Sequence, residues 1–355
     1  MPSPLRLSVD ARVVAEDTRG IGRYARAVLR RLIGRDDVAL TLLAFGPLPL
    51  RHRAGYTRAL GSRRFAVRSA VGREADVVWH PANGTFFASR VPSVATIHDA
   101  VPFRYPSADP KRRHHDQKPF LESVRTAARI VAVSAFGRDE VHRVFGVPLE
   151  RIAVIHHGVE PSFSPGAALP LPPGLFAQRY VLFVGDPIGE PRKNFSLLYD
   201  AYRRAWADPG PAPLLVVAGA HAPALDGVFH AGNLGDDLTG STNEPLRALY
   251  RGALAVAVPS YHETFGMPVL EAMACGTPVI ASESSSLPEI GGSAAYYVAP
   301  DDARAWANAL RRVTEDAALR DRLRIAGLDR ATHFDWDESA RRHLELFREV
   351  AGGGV

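Results

Sequence analysis

The chain has 355 residues, 46% hydrophobic and 23% charged, with 43 Lys and Arg against 38 Asp and Glu for a formal net charge of +5. That composition excludes a disordered or collagen-like chain, and the length exceeds the ~100–200 residues that one core usually supports, so two domains are expected. No apolar run approaches the roughly 20 residues a membrane-spanning helix needs. The N-terminal MPSPLRLSVDARVV enters a strand pattern without a signal-peptide core, and the single cysteine, Cys275, leaves no disulfide framework or cysteine-based zinc cluster. A cytoplasmic protein is expected, with peripheral attachment at the inner face of the membrane left open. Residues 1–170 carry 26 basic and 15 acidic side chains, residues 171–355 carry 17 and 23. Such asymmetry suits two domains with different partners; an arginine-rich composition with three lysines is the plainer account.

In chain order, LRLSV reads as a first strand and IGRYARAVLRRLIG as a helix, with Ile21, Tyr24, Ala25, Val28, Leu29 and Leu32 at helical spacing. The runs VALTLLAF, ADVVW, SVATI, RIVAVS and RIAVI follow, then YVLFVG, PLLVVAG, ALAVAVPS and TPVIAS; two helices, DDARAWANALRRV and WDESARRHLELFREV, close the chain. β-Branched runs apolar on both faces predict parallel strands covered by helices, and their alternation with helical segments predicts an α/β protein of doubly wound sheets. PSFSPGAALPLPPG, with five prolines between residues 161 and 174, fits neither a helix interior nor a central strand and marks a boundary. The expected organisation is a domain over residues 1–165, a second over 175–335, and a helix over 336–355 returning to the first. Ligands of such sheets bind outside the carboxyl ends of the strands.

The segment AVAVPSYHETFGMPVLEAMACGTPVIAS carries the strongest chemical signal. A buried strand ends at Pro259-Ser260, a loop carries Glu263 and Gly266, and Pro268 opens a helix, where its missing N–H has no partner to lose. The amides of Val269 and Leu270, with the helix dipole, are expected to make an anion site suited to phosphate. Glu263 and Glu271 beside it suit a ligand with both hydroxyls and phosphates, a nucleotide sugar; two surface glutamates flanking a helix start are the alternative. Other patterns carry less. Gly20, Gly22 and Ala25 spell G-x-G-x-x-A, but ten residues separate Asp10 from Gly20 and no acidic residue follows LTLLAF, so a dinucleotide site is not expected. His262-Glu263 lacks the second histidine of a zinc-protease helix, His114, His115 and Asp116 read as a solvated helix start, and Asp236-Asp237 lack the context of a metal–diphosphate site.

The spacing of Glu263 and Glu271 resembles the Glu-(seven residues)-Glu motif of retaining glycosyltransferases of family 4, the mannosyltransferase-like group 1 enzymes. Four other segments resemble that family in the same order: RGIGRYARAVLRRL, ATIHDAVPFRYP, VAVSAFGRDEVHRVFGVPLERIAVIHHGVEPSFSP and YVLFVGDPIGEPRKNFSLLYDAY. The resemblance implies the GT-B fold, two Rossmann-like doubly wound domains facing across a cleft. It implies that Glu271 bonds the ribose hydroxyls and Glu263 contacts the transferred sugar near its reacting centre. Backbone amides around Phe265, Gly266 and Met267 would hold sugar hydroxyls, those of Val269 and Leu270 would face the diphosphate, and Gly185 would open the phosphate loop. Lys193 and Arg192 would neutralise the leaving diphosphate, whose charge grows as the glycosidic bond breaks. His98 would reach the donor sugar, and Gly20 and Gly22 would let the backbone approach the diphosphate or the acceptor. Plainer readings are a surface lysine for Lys193 and a structural histidine for His98. Asp186 stands where many relatives carry arginine, and GDDLTGST lengthens a loop near the expected base pocket.

The implied activity is retaining transfer of a hexose, mannose by first choice, from GDP-mannose or a UDP-hexose to a glycan or lipid-linked acceptor in cell-envelope or exported glycan synthesis. No metal and no nucleic-acid partner are expected. A sugar-nucleotide epimerase or a non-catalytic nucleotide-sugar binder are the alternatives. Residues 51–68 interleave Arg51, Arg53, Arg58, Arg63, Arg64 and Arg68 with Tyr56, Leu60, Phe65 and Val67, a mixture expected to suit an anionic membrane surface, or else a solvated arginine-rich loop.

Overall fold

Seven short strands, β1 (Leu5–Asp10), β2 (Val38–Leu43), β3 (Ala66–Arg68), β4 (Val77–His80), β5 (Ser93–Ile97), β6 (Arg129–Ala132) and β7 (Ile152–Val154), pair in parallel in the order β3-β2-β1-β4-β5-β6-β7. The computed structural model describes residues 3–18, 20–167, 169–175, 179–208, 211–234 and 244–353. Chain order reverses between β1 and β4, so Asp10 and His80 flank the switch point of this sheet. Leu7, Val9, Trp79, Val94 and Val131 are fully buried, because helices α1 (Gly20–Leu32), α2 (Arg53–Leu60), α3 (Val101–Arg104), α4 (Pro110–Thr126) and α5 (Ala135–Phe145) connect the strands. α1 buries Tyr24, Ala25, Val28, Leu29 and Leu32, the face its spacing predicts. α5 starts where the Ser134 hydroxyl accepts from the Gly137 amide and stops at Gly146, left-handed at φ +67°.

The basic segment 51–68 departs from its membrane reading. Tyr56 and Leu60 lie on the inner face of α2, and Phe65 and Val67 point inward at β3, so all four are core residues. Its arginines serve the protein surface: Arg53 donates to the Phe65 and Arg63 carbonyls, Arg64 pairs with Asp36, and Arg68 with Glu74.

A second parallel sheet holds β8 (Tyr180–Val184), β9 (Leu214–Ala218), β10 (Val228–Gly232), β11 (Ala255–Val258), β12 (Val279–Ser282) and β13 (Ala295–Val298) in the order β10-β9-β8-β11-β12-β13. Its switch point lies between β8 and β11. Helices α6 (Phe195–Ala205), α7 (Glu244–Gly252), α8 (Met267–Ala274), α9 (Leu287–Gly291), α10 (Ala303–Glu315) and α11 (Ala317–Ala331) belong to this unit. The sequence reading has two closing helices where the structure has three. α11 buries Leu319, Leu323, Gly327 and Ala331, a stripe with two large apolar side chains, too thin to register as a period.

The chain divides at Gly158/Val159 and again at Phe334/Asp335. The proline-rich stretch falls in the second unit, because Arg247 donates to the Ser162 carbonyl, Arg251 donates to the Ser164 carbonyl, and Phe163 packs edge-on against Tyr250. GDDLTGST, with Asp236 and Asp237, lies outside the described residues. The last helix, α12 (Trp336–Ala351), is part of the first unit, where Trp336, Leu344, Phe347 and Val350 complete the core. Gly158 makes this return possible, since a Cβ there would lie 2.2 Å from the Trp336 nitrogen.

α12 also inserts a polar residue. The His343 Nδ1–H donates to the Ser339 carbonyl at 2.7 Å, leaving Nε2 to accept from the Tyr24 hydroxyl at 2.6 Å. The Tyr24 oxygen in turn meets Thr96 Oγ1 at 2.9 Å, and Trp79 Nε1 donates to Thr96 at 3.1 Å. Burial holds the His343 imidazole down at about 4 and lowers His98 and His157 as well. In the unfolded chain a histidine takes up its proton near pH 6.5, whereas buried His343 stays neutral until about pH 4, so stability is lost as pH falls between those values. For His343 alone the loss at pH 5 is about 2 kcal/mol. Urea unfolding at pH 7 and pH 5 is expected to show a smaller acid loss in His343→Gln by about that amount; equal losses in the two proteins would contradict the buried neutral state.

Candidate active site

The second unit's switch point brings the loop after β8 beside the loop after β11. Gly185 follows β8 at φ +152°, and the Lys193 side chain folds back over it so closely that a Cβ would stand 2.3 Å from Lys193 Cδ. Asp186 shapes the intervening turn: its Oδ1 accepts from the Ile188 and Gly189 amides at 3.0 and 2.8 Å, and its Oδ2 accepts from His221 Nδ1 at 2.8 Å. The Gly189 amide, then His221, hold its carboxyl below the usual range. The residue in the place of the relatives' arginine is thus a turn-former. Asn194, left-handed at φ +58°, donates through Nδ2 to the Pro259 and Pro300 carbonyls, and the Tyr261 amide donates to the Arg192 carbonyl at 2.8 Å. These bonds join the Pro191–Lys193 turn to the end of β11.

Glu263 lies at the centre of this junction, 7% exposed. Lys193 Nζ donates to its Oε1 at 3.0 Å, Ser260 Oγ donates to the same oxygen at 3.0 Å, and Arg192 donates to Oε2 at 3.1 Å. Burial pushes this carboxyl up, but Lys193 and Arg192 outweigh it and hold the group down at about 2, ionised at any physiological pH. The backbone is fixed too: the Glu263 amide donates to Ser285 Oγ, and Ser286 Oγ donates to both the Glu263 and Phe265 carbonyls. Arg192 is shared with Glu190 at 2.5 Å, so two cations and two carboxylates balance. Ser285 and Ser286 lie outside every motif segment of the sequence, whereas Ser260, Glu190 and Asn194 lie inside those segments but at positions to which the sequence assigns no part.

Gly266, left-handed at φ +100°, caps α8, and a Cβ on it would stand 2.8 Å from Leu287 Cδ2. Here the sequence expectation needs correcting. The amides of Val269 and Leu270 are not open to a phosphate, because both donate to the Gly266 carbonyl, at 3.0 and 3.4 Å, and both side chains are fully buried. A tight first turn closes on its own cap, so the amides left for a ligand are those of Gly266 and Met267. Phe265 is buried edge-on against Phe334. Glu271, 2% exposed on α8, has Oε2 oriented by the Tyr250 hydroxyl at 2.9 Å.

His98, Gly20 and Gly22 belong to the first unit. His98 follows β5; its Nε2–H donates to the Pro81 carbonyl at 2.7 Å, its amide donates to Asn83 Oδ1, and its ring meets Tyr24 edge-on at 4.7 Å. Burial keeps it neutral. Gly22 is required by the chain itself, since a Cβ would stand 1.9 Å from the Asp17 carbonyl oxygen, whereas at Gly20 nothing lies within 4 Å. Asp10 and His80, flanking the first switch point, are both sealed, with Arg12 on the Asp10 carboxylate at 2.8 Å. Among the described residues no three His, Cys, Asp or Glu side chains converge as a metal site, and no helix is long and apolar enough to cross a membrane.

Comparison with known proteins agrees with this architecture. Residues 10–163 match the model of Glycosyltransferase Family 4, and residues 177–330 that of Glycosyl transferases group 1. The chain is 30% identical over 285 residues to O-antigen chain mannosyltransferase B of Escherichia coli, covering 77% of this chain and 74% of that one. It is 32% identical over 253 residues to a D-inositol 3-phosphate glycosyltransferase of Nocardioides, covering 64% of this chain and 55% of that enzyme. The structure of Anabaena Alr3699/HepE in complex with UDP and glucose superposes with a TM-score of 0.68 at 16% identity, over 97% of this chain and 99% of that one, a likeness of fold. With two doubly wound units, a charge-balanced glutamate at the second switch point and both family models matched in order, the chain belongs to the group 1 glycosyltransferases of family 4 and has their GT-B fold.

Proposed function

We propose that the second unit binds a nucleotide diphosphate sugar and that the enzyme transfers its hexose, with retention of configuration, to an acceptor hydroxyl. The observation that carries this reading is the ionised, buried Glu263 held between Lys193 and Arg192 at the switch point. A carboxylate with its pKa held near 2 is no proton donor; it accepts bonds from sugar hydroxyls and favours positive charge growing at the anomeric carbon. As the bond from that carbon to the diphosphate breaks, negative charge collects on the diphosphate, where Lys193 and Arg192 stabilise it. The new bond forms from the acceptor oxygen on the same face, and the acceptor's proton passes to the departing diphosphate oxygen. Glu271, oriented by Tyr250, takes the ribose hydroxyls. His98 has its N–H committed to Pro81, so any ligand bond it makes is through Nδ1 as an acceptor. Mannose from GDP-mannose is the first choice of donor, supported by the name of the Escherichia coli relative, and a UDP-hexose the second, supported by the Anabaena complex. A glycan or lipid-linked acceptor of exported polysaccharide synthesis fits the same relative.

Incubating the protein with a panel of nucleotide sugars and diphosphate-lipid-linked glycans, followed by mass spectrometry, is expected to show one hexose added to an acceptor and release of nucleoside diphosphate. A free epimer, or no turnover of any donor, would contradict transfer. Glu263, bonded to Lys193, competes with the diphosphate for that lysine, so Glu263→Gln is expected to lower kcat about a hundredfold or more while leaving nucleoside diphosphate affinity equal or tighter. Parallel loss of both would make the residue structural. Lys193→Ala is expected to weaken nucleoside diphosphate by roughly 1.5–3 kcal/mol and nucleoside hardly at all, by calorimetry. Gly185→Ala should reproduce that pattern by displacing the lysine. Glu271→Ala should instead weaken the nucleoside itself, and unchanged nucleoside affinity would remove its ribose role.

A further inference from the structure

The loop after β4 grips His98 from two sides. The Pro81 carbonyl takes the ring N–H. Asn83 takes the backbone: its Oδ1 accepts from the His98 amide at 2.6 Å, and its own amide donates to the Thr96 carbonyl at 3.1 Å. Thr96 and His98 flank Ile97, the last residue of β5. A residue on a neighbouring parallel strand would donate to the first of these and accept from the second. Asn83 does both, with a side-chain oxygen standing in for the backbone carbonyl. Its backbone is left-handed at φ +41°, a conformation strained for most residues with a side chain and most accessible to asparagine and aspartate. The chain has therefore turned out of the sheet while the side chain continues the ladder. Beyond it the loop is pinned to α4: a Cβ on Gly84 would stand 2.4 Å from Pro119 Cβ, the Thr85 amide donates to the Pro119 carbonyl at 3.1 Å, and the Thr85 hydroxyl meets buried Ser123 Oγ at 3.0 Å. On the far side of His98, Asp99 Oδ1 accepts from the Val101 amide at 3.1 Å, which ties the other flank to the start of α3.

We propose that Asn83 is a positioning residue for the transfer reaction, fixing the backbone of His98 so that the imidazole, tied to Pro81 through Nε2–H, holds Nδ1 in one place as an acceptor. Two fixed points are needed. The bond to Pro81 sets which nitrogen carries the proton, but it leaves the ring free to shift with its backbone, and the bond to Asn83 removes that freedom. Glycine at position 83 would relieve the left-handed strain; what it would lose is the bond to the His98 amide. This role rests on the reading that His98 bonds a ligand of the reaction through Nδ1. Asn83 acts through His98 and is given no ligand contact of its own.

Asn83→Gly separates positioning from folding, since it keeps the amide bond to Thr96, accepts the left-handed backbone and deletes the side chain alone. Its unfolding midpoint is expected close to that of the wild type, relief of strain offsetting the lost bond. The first readout needs no substrate. Heteronuclear NMR of the histidine rings in the isotope-labelled full chain, with His98 assigned by the signals missing from His98→Gln, is expected to show Nε2 protonated and Nδ1 bare in the wild type. In Asn83→Gly both signals should move toward the average of the two tautomers. With the donor that the nucleotide-sugar panel turns over, Asn83→Gly is expected to lower kcat at least tenfold and to leave nucleoside diphosphate affinity within about twofold. Added to His98→Gln it should cost nothing further, because the two residues act as one unit. Unchanged ring signals, an unchanged kcat, or a full further loss in the His98→Gln background would each overturn the proposal. The underlying reading fails differently: full transfer by His98→Gln would remove the histidine's role and its positioning together, whereas a loss in His98→Gln with none in Asn83→Gly would reject Asn83 alone.

Discussion

A carboxylate taken out of water must be compensated, and in this protein the compensation of Glu263 determines the local design of the second unit. Isolated burial of a charge costs several kcal/mol, and removing one partner of a buried pair typically costs about 3–5 kcal/mol. Lys193 can reach Glu263 because Gly185 has no side chain beneath it, because Asp186 ties the preceding turn, and because Asn194 fastens the turn to the end of β11. Ser285 and Ser286 hold the other strand of the junction. The result is a preformed junction in which cations and carboxylates already balance; in the function proposed above, an incoming diphosphate would exchange one set of anionic partners for another with little reorganisation of protein dipoles.

In the first unit the corresponding device is neutral. Tyr24, Thr96, Trp79 and His343 satisfy one another along a buried chain of hydrogen bonds that ends on the carbonyl of Ser339. The Tyr24 ring forms one wall of the His98 side chain, so α12, the last segment of sequence, helps to set the surroundings of a residue at the end of β5. A polar core of this kind specifies one arrangement when every member is satisfied. It also makes the unit acid-sensitive, since burial holds down both His343 and the neighbouring His157.

Much of this architecture was legible because its elements carry strong periods. The parallel strands are unbroken β-branched runs, α1 repeats its apolar residues at helical spacing, and Glu263, Glu271, Lys193 and Gly185 sit in motifs whose order is informative. β3, β10 and β13 were not legible, being three to five residues long and partly exposed. The first turn of α8 was misread because spacing tells where a helix begins but not whether its cap carbonyl will satisfy the amides of Val269 and Leu270. The basic segment 51–68 mixed two periods, that of α2 and that of β3, and the sum resembled an interfacial pattern while each part faced the core.

The central claim is that Lys193 and Glu263 exchange partners when donor binds, lysine to diphosphate and glutamate to sugar. A crystal structure with a non-transferable 2-deoxy-2-fluoro sugar nucleotide tests it directly. The account predicts Lys193 Nζ within about 3 Å of a diphosphate oxygen and the Glu263 carboxylate against a sugar hydroxyl. A diphosphate bound elsewhere, with the Lys193–Glu263 pair intact, would contradict it.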